Sequence, residues 1–168
     1  MKIGLLSDTH DRVPAVERLL ARMLEVGASF VLHAGDYCAP FSLAPFRAAG
    51  VPMLGVFGRN DGDRDGLRAA AEALPAGGEI VGSPHSLEVG GRSILLVHDL
   101  GDALARSVEA HAVVVHGCSH RGEARQRGSA LVVNPGEACG WLTGVCTGAV
   151  LDLDTLSVER IVLDLPRV

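Results

Sequence analysis

"KIGLLSDTHDRVPAVERLLARMLEVGASFVLHAGD", residues 2–36, decides the fold. Its first six residues form a short apolar run, a strand by length and composition. From Arg12 to Gly27 the apolar residues Val16, Leu19, Leu20, Met23 and Leu24 recur at helix spacing, and Gly27 stands where a left-handed C-terminal cap belongs. "SFVLHAGD" closes the unit as a second strand. The pattern repeats with a helix from Pro40 to Ala49 and a third strand in "VPMLGVFG", residues 51–58. Strand alternating with helix predicts an α/β domain built on parallel strands. The second half changes character. "HSLEV" and "RSILLVH" read as two strands joined by Gly90-Gly91, residues 102–110 as a helix, and "AVVVHG", "SALVVN", "GAVLDL" and "SVERIVLDL" as further strands. Two packed sheets with helices outside accommodate all of them.

The composition fits one compact domain over residues 1–168: 48% of the chain is hydrophobic and 21% charged. Asp8 and His10 interrupt the N-terminal apolar run before a signal-peptide core or a membrane span could form, so a cytoplasmic protein without a membrane partner is expected. Cys38, Cys118, Cys139 and Cys146 show no paired spacing and are expected as free thiols. A net charge of −5 argues against a broad nucleic-acid surface.

The polar residues gather at strand ends. Asp8 and His10 are two positions apart, which places both side chains on one side of an extended chain. Asp36 follows Gly35 at the end of the second strand, and ligands of α/β sheets bind beyond the carboxyl ends of strands. "GRND" (58–61), "VHD" (97–99) and "HGCSH" (116–120) end three more strands. Asp, His and Asn at five such ends are the residue types that hold a hard or borderline metal. Other polar residues read more simply. Asp11 and Asp102 suit turns or caps, His33 a satisfied core position, and His85 and His111 the solvated surface. His116, at the end of its strand, is open between support for the site and contact with an ion.

In order and approximate spacing, "SDTH", "HAGD", "GRND", "VHD", "GCSH" and the "NPG" of Asn134, Pro135 and Gly136 resemble the calcineurin-like metallophosphoesterases, in particular the small prokaryotic YfcE/MJ0936 type. The resemblance covers nearly the whole chain. It implies a four-layer αββα sandwich of two mixed β-sheets flanked by helices. It also implies a small phosphate-ester substrate and one or two divalent metal ions per chain, Mn first, with Fe, Ni or Zn as alternatives. Relatives are often dimers, so a homodimer is the assembly it suggests. Carried over by position, Asp8, His10, Asp36 and His120 hold the first ion. The second shares Asp36 and takes an Asn, His98 and the first His of a "GHTH"-like motif.

Two of those second-site positions are altered. Arg59 stands where the ligand Asn belongs, with Asn60 where relatives carry a Cys or a leaving-group His, and Cys118 replaces a ligand His. A guanidinium about 4 Å from a divalent ion costs about 8 kcal/mol at an effective dielectric near 20. Arg59 therefore either disfavours the second ion or substitutes for it, since its planar fork matches phosphate oxygens. Alternatively, Asn60 supplies an amide oxygen by a one-residue shift of the loop, or Cys118 binds as a thiolate and favours zinc. Three readings remain open: a dinuclear phosphoesterase, a mononuclear one with Arg59 as the second cation, and a binding scaffold on a weakened centre. Because the first ligand set is complete, an enzyme is favoured. "CGWLTGVC", residues 139–146, is expected to pack in the core.

Overall fold

The computed structural model describes residues 1–165. Eleven strands form two sheets among the described residues. In the first, β11 (Val158–Leu163), β10 (Cys146–Asp152), β1 (Lys2–Leu6), β2 (Ala28–His33), β3 (Met53–Val56) and β4 (Gly78–Val81) lie in that order. The second runs β5 (His85–Val89), β6 (Arg92–Leu96), β7 (Val113–Val115), β9 (Ala130–Asn134) and β8 (Glu123–Arg127). Both sheets are mixed: β1 to β4 are parallel, as are β6, β7 and β9, while β10, β11, β5 and β8 pair antiparallel.

Burial explains the layers. Side chains alternate across a strand, so each strand of the first sheet serves two cores. Ile3, Leu5, Leu32 and Val56 meet Ile94, Leu96, Val113 and Val133 between the sheets. Leu6, Val31, Met53 and Val150 face helices α1 (Val13–Glu25), α2 (Ala44–Ala49) and α3 (Arg64–Glu72) on the other side. Beyond the second sheet, Leu95, Val114 and Val132 pack on Val108 of α4 (Ala105–Glu109). The result is the αββα sandwich expected from the sequence. Covered on both faces, β7 and the first four residues of β9 are apolar in a continuous run rather than alternating. Helix α1 sits close because Gly4 and Gly148 leave room for Met23, whose Sδ would be 2.8 Å from a Cβ at Gly4 and whose Cε would be 2.5 Å from one at Gly148.

Register aligns the functional ends. Leu6 pairs with His33 and His33 with Gly55, while Leu96 pairs with Val115 and Val115 with Val133. The loops that follow β1, β2, β3, β6, β7 and β9 therefore emerge along one rim of the sandwich.

Several elements differ from the sequence reading. Helix α3, capped by Asp63 accepting from the Gly66 N–H at 2.9 Å, and strands β4 and β8 were not foreseen. β4 is four residues with a glycine, and β8 is exposed at every position, so neither carries an apolar pattern. The expected helices at 40–49 and 102–110 each begin later, after 3-10 turns at Pro40–Leu43 and Leu100–Asp102. Within 139–146 only the ends are in the core: Cys139 and Cys146 are buried, but Trp141 and Leu142 are exposed. No described helix is long and apolar enough to cross a membrane.

Leu32, fully buried between the sheets, should lose about 2–5 kcal/mol of stability on replacement by Ala. Val162→Ala, on an exposed position of β11, should change stability by less than about 0.5 kcal/mol. Chemical denaturation of both variants checks the pair, and equal losses would contradict the layer assignment.

Candidate metal centre

Local backbone geometry marks the rim before any side chain is considered. Asp8, His10, Asp36, Cys118 and His120 have φ of 53°, 37°, 63°, 65° and 60°, in the left-handed region that non-glycine residues avoid. Each such residue costs on the order of 1–3 kcal/mol and persists only where its surroundings enforce it. Here the loops enforce one another. The Asp8 N–H donates to Gly35 O at 3.0 Å, the His10 N–H to Asp36 O at 3.1 Å, and the Cys139 N–H to Asp8 O at 3.1 Å. Two glycines permit the approach: a Cβ at Gly58 would lie 2.1 Å from Asp36 Oδ1, and one at Gly117 would lie 1.8 Å from Ser7 Oγ.

Asp36 is the central side chain. Its Oδ2 lies 3.5 Å from His10 Nε2 and its Oδ1 3.5 Å from His98 Nε2, so the two carboxylate oxygens face different imidazoles. Asp8 directs Oδ2 to the Ser7 hydroxyl at 2.6 Å and the Cys118 N–H at 3.2 Å, which leaves Oδ1 3.5 Å from His120 Nε2. Ligand atoms sharing an ion through bonds of about 2.1 Å at tetrahedral angles stand about 3.4 Å apart. The buried atoms Asp8 Oδ1, His10 Nε2 and His98 Nε2 have no hydrogen-bond partner among the described residues. Burial pushes the Asp8 carboxyl above its ordinary range, opposed by the Ser7 hydroxyl and by His120. A cation among these atoms would satisfy all of them, so the residues fit a divalent metal.

The imidazoles are pre-oriented for that task. His98 Nδ1 is 2.7 Å from Ala34 O, which can only accept, so the proton sits on Nδ1 and the Nε2 lone pair faces Asp36. His120 Nδ1 is 2.8 Å from Glu137 Oε2, so a proton sits on Nδ1 there too and Nε2 points at Asp8 Oδ1, 3.5 Å away. His10 and His120 stack with ring centroids 5.2 Å apart.

The altered positions are arranged unequally. Asn60 is the residue on Asp36: its Nδ2 donates to Oδ2 at 2.7 Å and its backbone N–H to Oδ1 at 2.8 Å. Arg59 turns outward, 62% exposed, and pairs with Asp99. The Gly101 N–H and Arg59 hold the Asp99 carboxyl below its ordinary range. Cys118 contributes its N–H to Asp8, while its thiol lies 3.8 Å from Asp99 Oδ2, and burial and Asp99 push that thiol up. Ligand atoms of Asp8, His10 and Asp36 lie within 4.8 Å of one another, as do those of His10, His120 and Cys139.

Supporting residues also fall into place. His33 is buried, accepts from the Gly35 N–H at 3.1 Å, and is held neutral because burial pushes its pKa well down, but it is only half satisfied, since its Nε2 has no hydrogen-bond partner among the described residues. His116 bonds Glu123 Oε1 at 3.1 Å. Asp11 accepts the Ala39 N–H at 3.1 Å, a turn role. His111 is less solvated than expected, with Nδ1 2.6 Å from Ser107 O. Asn134 of "NPG" staples two loops, donating to Gly117 O at 3.1 Å and accepting from the Gly136 N–H at 2.8 Å. Sequence reasoning assigned no role to Asp61, Glu137 or Cys139. Asp61 accepts N–H groups from Asp36, Tyr37, Cys38 and Gly58, and the signal for it was its place in "GRND" itself. Glu137, directly after "NPG", is fully buried.

Comparison with known proteins extends the likeness beyond the rim. Residues 1–156 match the calcineurin-like phosphoesterase superfamily domain. The chain is 29% identical to phosphodiesterase MJ0936 of Methanocaldococcus jannaschii over 98% of its own length and 100% of that protein's. A solved structure of a novel archaeal phosphodiesterase superposes with a TM-score of 0.90 at 29% identity, covering 97% of this chain and all of that one. The phosphoesterase YfcE from E. coli, at 20% identity and a TM-score of 0.69 over 96% of this chain and 98% of that one, shares the fold. Strand order, rim geometry and the match over residues 1–156 agree, and the chain belongs to the calcineurin-like phosphoesterase superfamily.

Proposed function

We propose that this protein is a metal-dependent phosphoesterase acting on a small phosphodiester, with manganese as the first candidate metal and iron, nickel or zinc as alternatives. The observation that carries the reading is Asp36, whose two oxygens each lie 3.5 Å from a different imidazole nitrogen that has no hydrogen-bond partner among the described residues. The relatives named phosphodiesterases support the substrate class.

Asp8, His10, Asp36 and His120 would hold the first ion, and His98 is the imidazole placed for a second; Asn60, whose NH2 donates to Asp36 Oδ2, would offer its amide oxygen only with the carboxamide turned over. A bound divalent ion supplies Lewis-acid polarisation of a phosphoryl oxygen and lowers the pKa of water. The protein supplies position and charge. A groove of about 230 Å³ lined by Arg59, Arg64, Ser83 and His98 adjoins the centre and suits the organic part of a small ester. Arg59, anchored by Asp99 at the mouth of this groove, presents a charged planar donor set to phosphoryl oxygens. Asn60 cannot donate a proton as an acid, so the substrate favoured is one with a good leaving group. Cys118, with a thiol held up in pKa, serves through its backbone N–H by orienting Asp8.

Asp36→Asn should reduce both bound metal and hydrolysis of bis(p-nitrophenyl) phosphate, by more than the ~10–100-fold typical of losing a group that only supports a ligand. Elemental analysis and steady-state kinetics measure the two effects, and unchanged hydrolysis would remove the enzymatic reading. Arg59→Ala should leave metal content per chain unaltered, because the guanidinium is held on Asp99, and should lower kcat/KM at least about 10-fold. A gain of one ion per chain in that variant would instead show that Arg59 repels the second metal.

A further inference from the structure

Glu137 is fully buried, yet it gathers donors from three directions. The Leu142 N–H reaches its two oxygens at 3.0 and 3.1 Å, the Thr143 N–H reaches Oε1 at 2.5 Å, and His120 Nδ1 lies 2.8 Å from Oε2. The Cys139 thiol donates to the same Oε2 at 3.3 Å. These groups surround a side chain that can only accept, and a carboxylate has lone pairs for all of them.

We infer that Glu137 is the positioning residue of the metal centre: it fixes His120 with the proton on Nδ1 and Nε2 bare, and it ties that histidine to the turn that carries Trp141. The same carboxylate that orients one ligand thus also holds the turn, so neither can move alone. Trp141 in turn reaches back to the centre, its indole N–H 3.5 Å from His10 O and its ring over the Arg12 guanidinium at 4.6 Å. Through Glu137, His120 is thus linked to the Trp141 turn by direct hydrogen bonds.

A carboxamide cannot replace the carboxylate. Gln at 137 offers one oxygen and one NH2 group. If the oxygen stays on the Leu142 and Thr143 N–H groups, the NH2 meets His120 Nδ1 and drives the proton onto Nε2, the atom that should face the ion. If the oxygen turns to His120, the NH2 opposes two backbone donors and the turn is released. Either arrangement weakens the centre.

The inference rests on reading Asp8, His10, Asp36 and His120 as metal ligands, and the test separates the two. Trp141 is the only tryptophan, so its fluorescence reports on the turn alone. Titration of the metal-free protein with Mn2+ and with Zn2+ should change that fluorescence with the same midpoint as metal binding measured by calorimetry. Glu137→Gln should weaken binding about 10–100-fold. Equal affinity in the variant and the wild type would overturn the positioning role while leaving the ligand set intact, whereas no binding by the wild type would overturn both. Imidazole nitrogen NMR of the metal-free wild type gives a second reading that needs no variant at 137. His120, assigned by comparison with His120→Gln, should show a protonated Nδ1, the nitrogen that faces Glu137. The opposite tautomer, or rapid averaging of the two, would overturn the proposal.

Discussion

Asp61 places its two carboxylate oxygens among the backbone N–H groups of Asp36, Tyr37, Cys38 and Gly58, at 2.6 to 3.2 Å. Those donors belong to the loops after β2 and β3, which otherwise have no ladder to join, and an unpaired buried N–H is costly. One side chain therefore closes both loops and fixes the direction in which Asp36 emerges. Arg64, at the start of α3, completes the closure by donating to Gly58 O at 3.1 Å. Asp36 is thus held through its backbone by groups that leave its carboxylate free to face His10 and His98. Strain in the left-handed residues of the rim is sustained by the same hydrogen-bonded frame, with the two packed cores beneath it.

Much of this arrangement was legible in the chain. The alternation of apolar runs with helix spacing gave the parallel halves, and Asp8, His10, Asp36, His98 and His120 announced themselves by standing at strand ends. What was not legible depends on turn geometry. Whether Arg59 or Asn60 faces Asp36 is settled by the dihedral angles of a four-residue turn, and no periodicity encodes those. Cys118 is a related case: its position is in the rim, but its left-handed backbone carries the N–H to Asp8 and the thiol toward Asp99. Glu137 was hidden because an acidic residue in a polar-looking segment reads as solvated, and its burial comes from a turn that folds back over it. The edge strand β8 escaped for a different reason, since it covers no core and needs no apolar face.

Electrostatics and packing divide the labour. The inter-sheet core is apolar, while the rim concentrates buried carboxylates and imidazoles such as Asp8, Asp36 and His98. Burial opposes charge on Glu137, yet hydrogen bonds from His120, Thr143 and Leu142 outweigh it and hold its carboxyl at about 2, so it is ionised at neutral pH. Asp8 is at the opposite pole, with burial raising its carboxyl against the Ser7 hydroxyl and His120. Two carboxylates around one histidine are thus tuned apart, Glu137 downward and Asp8 upward.

The position of β10 has a consequence for how the chain is made. β1 lies between β2 and β10 in the first sheet, with Gly4 opposite Val150. The strand that leads into Asp8 and His10 leaves the ribosome well before residues 146–152, which close its second edge. At about 5–20 residues per second, the intervening synthesis takes on the order of 7–30 s. Throughout that interval the βαβ unit can form while one edge of its central strand stays open, exposed to other nascent chains and to chaperones.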